Sequence, residues 1–143
     1  MAIECVCQAD IKASAAACFE IAIDATRWRE WARDLDTVDI LEADPLRVAI
    51  TISILGEEKS AVIDLVTDAD ANAMRFELVE SESLSGFTGG MRFDGVGARS
   101  RMDAHLHATL IRPRAPRIER MVARKIETAL TRDFLRYVER GQR

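Results

Sequence analysis

Apolar and polar positions alternate along the first dozen residues. Ile3, Cys5, Cys7, Ala9 and Ile11 fall on one side, and Glu4, Gln8, Asp10 and Lys12 on the other, with Val6 out of phase. A period of two predicts a half-buried strand over residues 2–12. The period then lengthens. Ser14 stands as a helix cap before "AAACFEIAI", an Ala-rich helix, and Asp24 caps a second short helix with Trp28 and Trp31 on one face. Period two returns over 35–41 and 47–55, parted by "EADP" with Pro45 as the breaker. "GEEK" (56–59) reads as a turn, 60–67 as a strand and 68–72 as another turn. Residues 73–81 put Met74, Phe76 and Leu78 opposite Arg75 and Glu77. A Gly-rich strand over 84–93 and a turn at 94–97 lead to 99–111, where Met102, Ala104, Leu106, Ala108 and Leu110 oppose Arg101, Asp103, His105, His107 and Thr109. Consecutive strands with short turns predict an antiparallel meander.

Pro113 and Pro116 end the sheet, and Pro116 suits the first turn of a helix. Ile118, Val122, Ile126, Leu130, Phe134 and Val138 then recur every four residues, joined by Ala129 and Tyr137. This predicts a helix of about twenty-five residues, roughly 37 Å long. Its apolar stripe needs a large apolar surface to cover it, and the concave side of the sheet is the one left.

The order strand, two short helices, six strands, long C-terminal helix resembles the START-like, or helix-grip, superfamily (SRPBCC). That group includes the polyketide cyclase/dehydrase and lipid-transport family. "IKASAAACFEIAIDATRWREW" is similar to that family's opening, with Cys18-Phe19 as the apolar-aromatic pair and Asp24 ahead of Trp28 and Trp31. "AMRFELVESESLSG" resembles its central strand and following glycine, here Gly86, and "RIERMVARKIETALTRDFLRYVER" resembles its closing helix. Ser14 replaces the family's usual Pro, and "GFTGG" is unusual for it. The resemblance implies an α+β fold: a curved seven-stranded antiparallel sheet wrapped around the long helix, the whole chain 1–143 forming one domain. These motifs are structural, so they specify fold better than function.

Composition adds three points. Apolar residues make up 48% and charged ones 31%, a globular balance, and no apolar run approaches the ~18 residues of a membrane span. Glu4, Asp10 and Lys12 interrupt what a signal peptide would keep apolar, and three cysteines without such a peptide read as reduced thiols. Both lead us to expect a cytoplasmic protein. The net charge of −4 hides an asymmetry: from Arg112 onward there are ten Lys/Arg against four Asp/Glu, and before it ten against twenty. The basic residues alternate with an apolar stripe and lack aromatic interleaving. They therefore read as the solvated face of a packed helix, and nucleic acid is not the expected partner. Peripheral contact with anionic lipid or a protein through that face stays open as an alternative.

The chemistry-bearing residues do not converge. Cys5-x-Cys7 and His105-x-His107 have the spacing of a metal site, but strand parity turns the thiols inward and the imidazoles outward, so no zinc is expected. An outward imidazole near Asp103 reads as a surface pair. The glycines from Gly86 to Gly97 match no phosphate loop and read as a bent, bulged strand. Asp133 falls on the apolar side of the helix, either paired with Arg136 or aimed at a ligand. Arg92 lies where the glycines blur the register. Trp28 and Trp31 read as packing anchors beside a cavity mouth.

The resulting expectation is a mostly apolar pocket between sheet and helix, with no cofactor, holding a small hydrophobic molecule such as a lipid, quinone or polyketide-like compound. Its candidate wall is Trp28, Trp31, Ile50, Ile52, Met74, Phe76 and Leu78, continued by Met91, Arg92, Met102, Leu106, Val122, Ile126 and Asp133. A polyketide cyclase or dehydratase would need Arg92 and Asp133 both inward, and no catalytic set is legible. A partner-binding module would instead have its cavity filled by side chains.

Overall fold

A computed structural model describes residues 2–54 and 56–141. Leu55, the expected end of the third strand, lies outside the described residues, as do Met1, Gln142 and Arg143. The chain runs β1 (Ala2–Ile11), α1 (Ala15–Ile23), a 3₁₀ turn (Ala25–Arg27), α2 (Trp28–Trp31), then β2 (Leu35–Ala43), β3 (Leu46–Ile54), β4 (Glu57–Asp68), β5 (Ala73–Glu80), β6 (Leu84–Val96) and β7 (Arg99–Leu110). It closes with α3 (Pro116–Thr128), a π turn (Ala129–Asp133) and α4 (Phe134–Gly141), which together form the terminal rod. The strands make one antiparallel sheet in the order β1-β7-β6-β5-β4-β3-β2. Hairpins carry the chain from β2 to β7, and β1 closes on β7 with Ile3 opposite Ala108 and Cys5 opposite Leu106. This is the helix-grip arrangement.

Local signals act as their chemistry requires. Ser14 Oγ accepts from Ala17 N at 3.2 Å and starts α1, whereas Asp24 Oδ1 accepts from Thr26 N at 3.1 Å and starts the 3₁₀ turn rather than α2, which follows Arg27 without a side-chain cap. In β1, Ile3, Cys5, Cys7 and Ile11 are buried, while Val6 stands 81% exposed among the polar positions. Turns are shorter than the polar stretches that suggested them. β4 already begins at Glu57 and β6 runs on to Val96, leaving Gly56 (φ 79°) and Gly97 (φ 67°) to reverse the chain. Exposed strand ends carry polar side chains without cost, so polarity alone overestimates loop length.

The glycine pair in β6 is not a bulge. The register shifts between Leu84 and Gly86, whereas Gly89 and Gly90 pair regularly with both neighbouring strands. They are needed for close approach: a Cβ on Gly89 would stand 2.5 Å from His105 O and 2.6 Å from the Phe76 ring. Glycine there lets the Phe76 ring lie over the sheet and stack on Phe87 at 4.9 Å.

The rod explains its own π turn. A strict four-residue repeat drifts by ~40° per step on an α-helix. The wider π turn takes up part of that drift, so Phe134 and Val138, both 0% exposed, return to the sheet. Thr131 Oγ1 caps the irregularity by donating to Glu127 O at 2.7 Å. Around α4 the core is solid. Phe134 meets Trp31 edge-on at 4.9 Å and stacks on Phe93 at 5.8 Å, and Ile11, Cys18 and Met102 are fully buried with them. No described helix is long and apolar enough to cross a membrane.

Candidate ligand-binding site

Under α3 the same sheet is not filled. An inner hollow of about 220 Å³ lies between α2, the concave face and the rod. Trp28 and Trp31 close one end, Ile50 and Ile52 come from β3, and Met74 and Phe76 from β5. Met91 and Leu106 form the floor, and Val122 and Ile126 hang from α3. A second, outer hollow of about 500 Å³ adjoins it, the two sharing Ile52, Phe87, Leu106, Val122 and Ile126. The inner hollow shares Asp34, Lys125 and Ala129 with an external groove. The outer one is rimmed by Glu57, Lys59, Glu82, Arg112 and Arg114.

Four of the residues expected in the wall lie elsewhere. Leu78 is half-buried against the core, because β5 pairs with β6 only from Ala73 to Glu77 and then peels away. Arg92 points outward between inward Met91 and Phe93, with Nη2 3.1 Å from Asp94 Oδ2. The regular register through the glycines settles its direction. Met102 faces inward but sits opposite Phe93 in the packed core. Asp133 pairs with Arg132 at 3.1 Å, not Arg136, and lines the external groove. A helical wheel at 3.6 residues per turn misplaces it, because it lies in the π turn.

Phe87, Leu130 and Glu119 also line the hollows, and none of them belongs to the wall expected from the sequence. For Glu119 a signal existed: it precedes Val122 by three residues and Ile126 by seven, so it shares their face.

Polar groups around the hollows are few and specific. Trp28 Nε1 donates to Ala22 O at 2.9 Å, whereas Trp31 Nε1 is buried without a partner. The thiols are inward and the imidazoles exposed, on opposite faces, as parity requires. His107 Nε2 stands 3.3 Å from Glu4, its cross-strand neighbour, while Asp103 accepts from Gln8 at 2.6 Å; Asp103 is thus not the imidazole's partner. Burial pushes the Cys7 thiol up to about 12, with neighbouring Cys5 adding to the rise, and burial raises Cys5 and Cys18 as well. Thiols held protonated in this way are structural rather than nucleophilic. The arrangement is suited to enclosing an apolar body.

No known protein family is matched by the sequence, and neither is any curated protein. Solved structures do match in shape. The ZhuI aromatase/cyclase from Streptomyces sp. R1128 superposes with a TM-score of 0.84 at 16% identity, covering 100% of this chain and 97% of that one. TTHA0849 from Thermus thermophilus also gives 0.84 at 16% identity, over 98% and 99% of the two chains. A START superfamily protein from Mycobacterium smegmatis gives 0.75 at 16% identity, over 97% and 95%. At such identities the likeness establishes the helix-grip fold and leaves function to the site.

Proposed function

We propose that the whole chain, 1–143, works as one domain that binds a small, mostly apolar molecule between the sheet and the terminal rod. A lipid, a quinone or a polyketide-like compound fits this class. One observation carries the reading: the same sheet and rod that pack solidly around Phe134 leave an apolar-walled hollow under Val122 and Ile126. Natural cores close such spaces unless something occupies them. Burial of an apolar ligand there contributes ~25 cal/mol per Å². Three buried thiols fit a reducing compartment, and the cytoplasm is the compartment we assign to this activity.

A cyclase-type activity loses its two polar candidates, since Arg92 and Asp133 both stand outside the hollows. A partner module with a filled cavity conflicts with the hollow itself. The basic face of α3, with exposed Arg117, Arg120 and Arg124, is not required for this reading.

Native mass spectrometry after expression in cells and gentle extraction tests the proposal. The expected result is a co-purifying apolar molecule, or uptake of the uncharged dye Nile red by the stripped protein. Ile126→Trp, which fills the hollow, is expected to abolish either. Ligand-free protein that takes up no dye sinks the reading.

A further inference from the structure

Buried side-chain polar atoms in folded proteins nearly always have hydrogen-bond partners. Among the described residues two do not: Nε1 of Trp31 and Oε2 of Glu119. Both belong to walls of the adjoining hollows, Trp31 to the inner and Glu119 to the outer.

Glu119 is the sharper case. It is 5% exposed, in the first turn of α3, beside an apolar cluster of Ile3, Ala108 and Val122. A carboxylate buried without a partner is costly, and the helix N-terminus offsets only part of that. Two of the three cations of the outer hollow are engaged by Glu57, and the third, Arg112, stands exposed at its rim. Lys59 lies 3.1 Å from Glu57, Arg114 pairs with the same carboxylate, and exposed Arg112 makes no ion pair among the described residues. Glu57 and Glu82, the other acids in this wall, are exposed to water. Glu119 is the buried acid of this wall, its Oε2 without a partner, on the same helix face as Val122 and Ile126.

We propose that Glu119 is the head-group site of the outer hollow. It accepts a hydrogen bond from an O–H or N–H at the polar end of a mostly apolar ligand, whose body lies against Leu106, Val122 and Ile126. This rests on the ligand-binding reading above and narrows it. Molecules ending in an alcohol, phenol or amine fit; those ending in a carboxylate or phosphate meet a buried like charge and are rejected.

Calorimetric titration of the full chain with four naphthalene probes tests this. Naphthol and naphthylmethylamine carry donors, methoxynaphthalene has the shape without the donor, and naphthoate carries the opposing charge. The expected result is donor probes binding roughly tenfold tighter than methoxynaphthalene, as befits a hydrogen bond to a charged group, with naphthoate weakest. Glu119→Leu is expected to erase the preference while keeping the affinity for methoxynaphthalene, and the isosteric Glu119→Gln to reduce it. Thermal melts establish that both variants are folded. Tighter binding of the amine identifies an ammonium head, and tighter binding of naphthol a hydroxyl. Equal binding of naphthol and its ether, or a preference that survives in Glu119→Leu, overturns the head-group site and leaves the hollow standing. Failure of all four probes removes the hollow as a ligand site and this proposal with it.

Discussion

The two halves of the terminal rod share one apolar repeat and meet one sheet, yet they do different things. Around α4, Phe134 and Val138 are both fully buried among Ile11, Cys18, Phe93 and Met102. Under α3, Val122 is the one buried apolar residue of the helix, Ile126 is partly exposed, and two hollows open beside them. The difference teaches where stability and binding are separated. α4 sends Phe134 and Val138 into a filled core, while α3 lies along β1 and leaves the space beside Val122 and Ile126 open. The π turn between them divides the two regimes.

Substitutions along the rod break the comparison most directly. Phe134→Ala is expected to cost about 3–5 kcal/mol in chemical unfolding, the usual loss for a fully buried aromatic. Ile126→Ala, beside space that is already empty, is expected to cost ~1 kcal/mol while weakening dye uptake. Equal costs at the two positions would mean that the hollow is filled in solution. The two tryptophans sharpen the comparison at smaller scale. Trp28→Phe strips the bond to Ala22 O and leaves a buried carbonyl unpaired, for about 1–2 kcal/mol. Trp31→Phe removes a donor that has no partner and is expected to cost less, as read by the same unfolding curves. The smallest effect is in pH. Because the folded Cys7 thiol is raised, its contribution is intact below the ordinary value of 9.0 and is lost as pH climbs from there towards about 12. Unfolding midpoints should therefore fall over that range in the native chain and less steeply in Cys7→Ala. In native protein at neutral pH, iodoacetamide is expected to leave Cys7 unmodified.

Much of the fold was legible because periodicity reports which face an element buries. The alternation in β1, the cap at Ser14, and the four-residue repeat of the rod each name a local rule that the structure obeys. Of the residues bordering the inner hollow, Ile50, Met74 and Leu106 followed from strand parity and Val122 from the helical repeat. Legibility failed where a local rule was interrupted. Asp133 sits in a π turn that a 3.6-residue wheel does not contain, Leu78 lies past the point where β5 leaves β6, and Glu119 is buried although its charge points to the surface.

The amino-acid pattern by itself determined the elements, their order and the face each turns inward, because those depend on neighbours a few residues apart. Which inward residues touch each other, and which border empty space, was decided by the tertiary structure. Met102 and Leu106 point the same way from one strand, yet one is sealed against Phe93 and the other faces a hollow. Their fates differ because the curvature of the sheet and the path of the rod set the gap above each, and those are properties of the whole assembly.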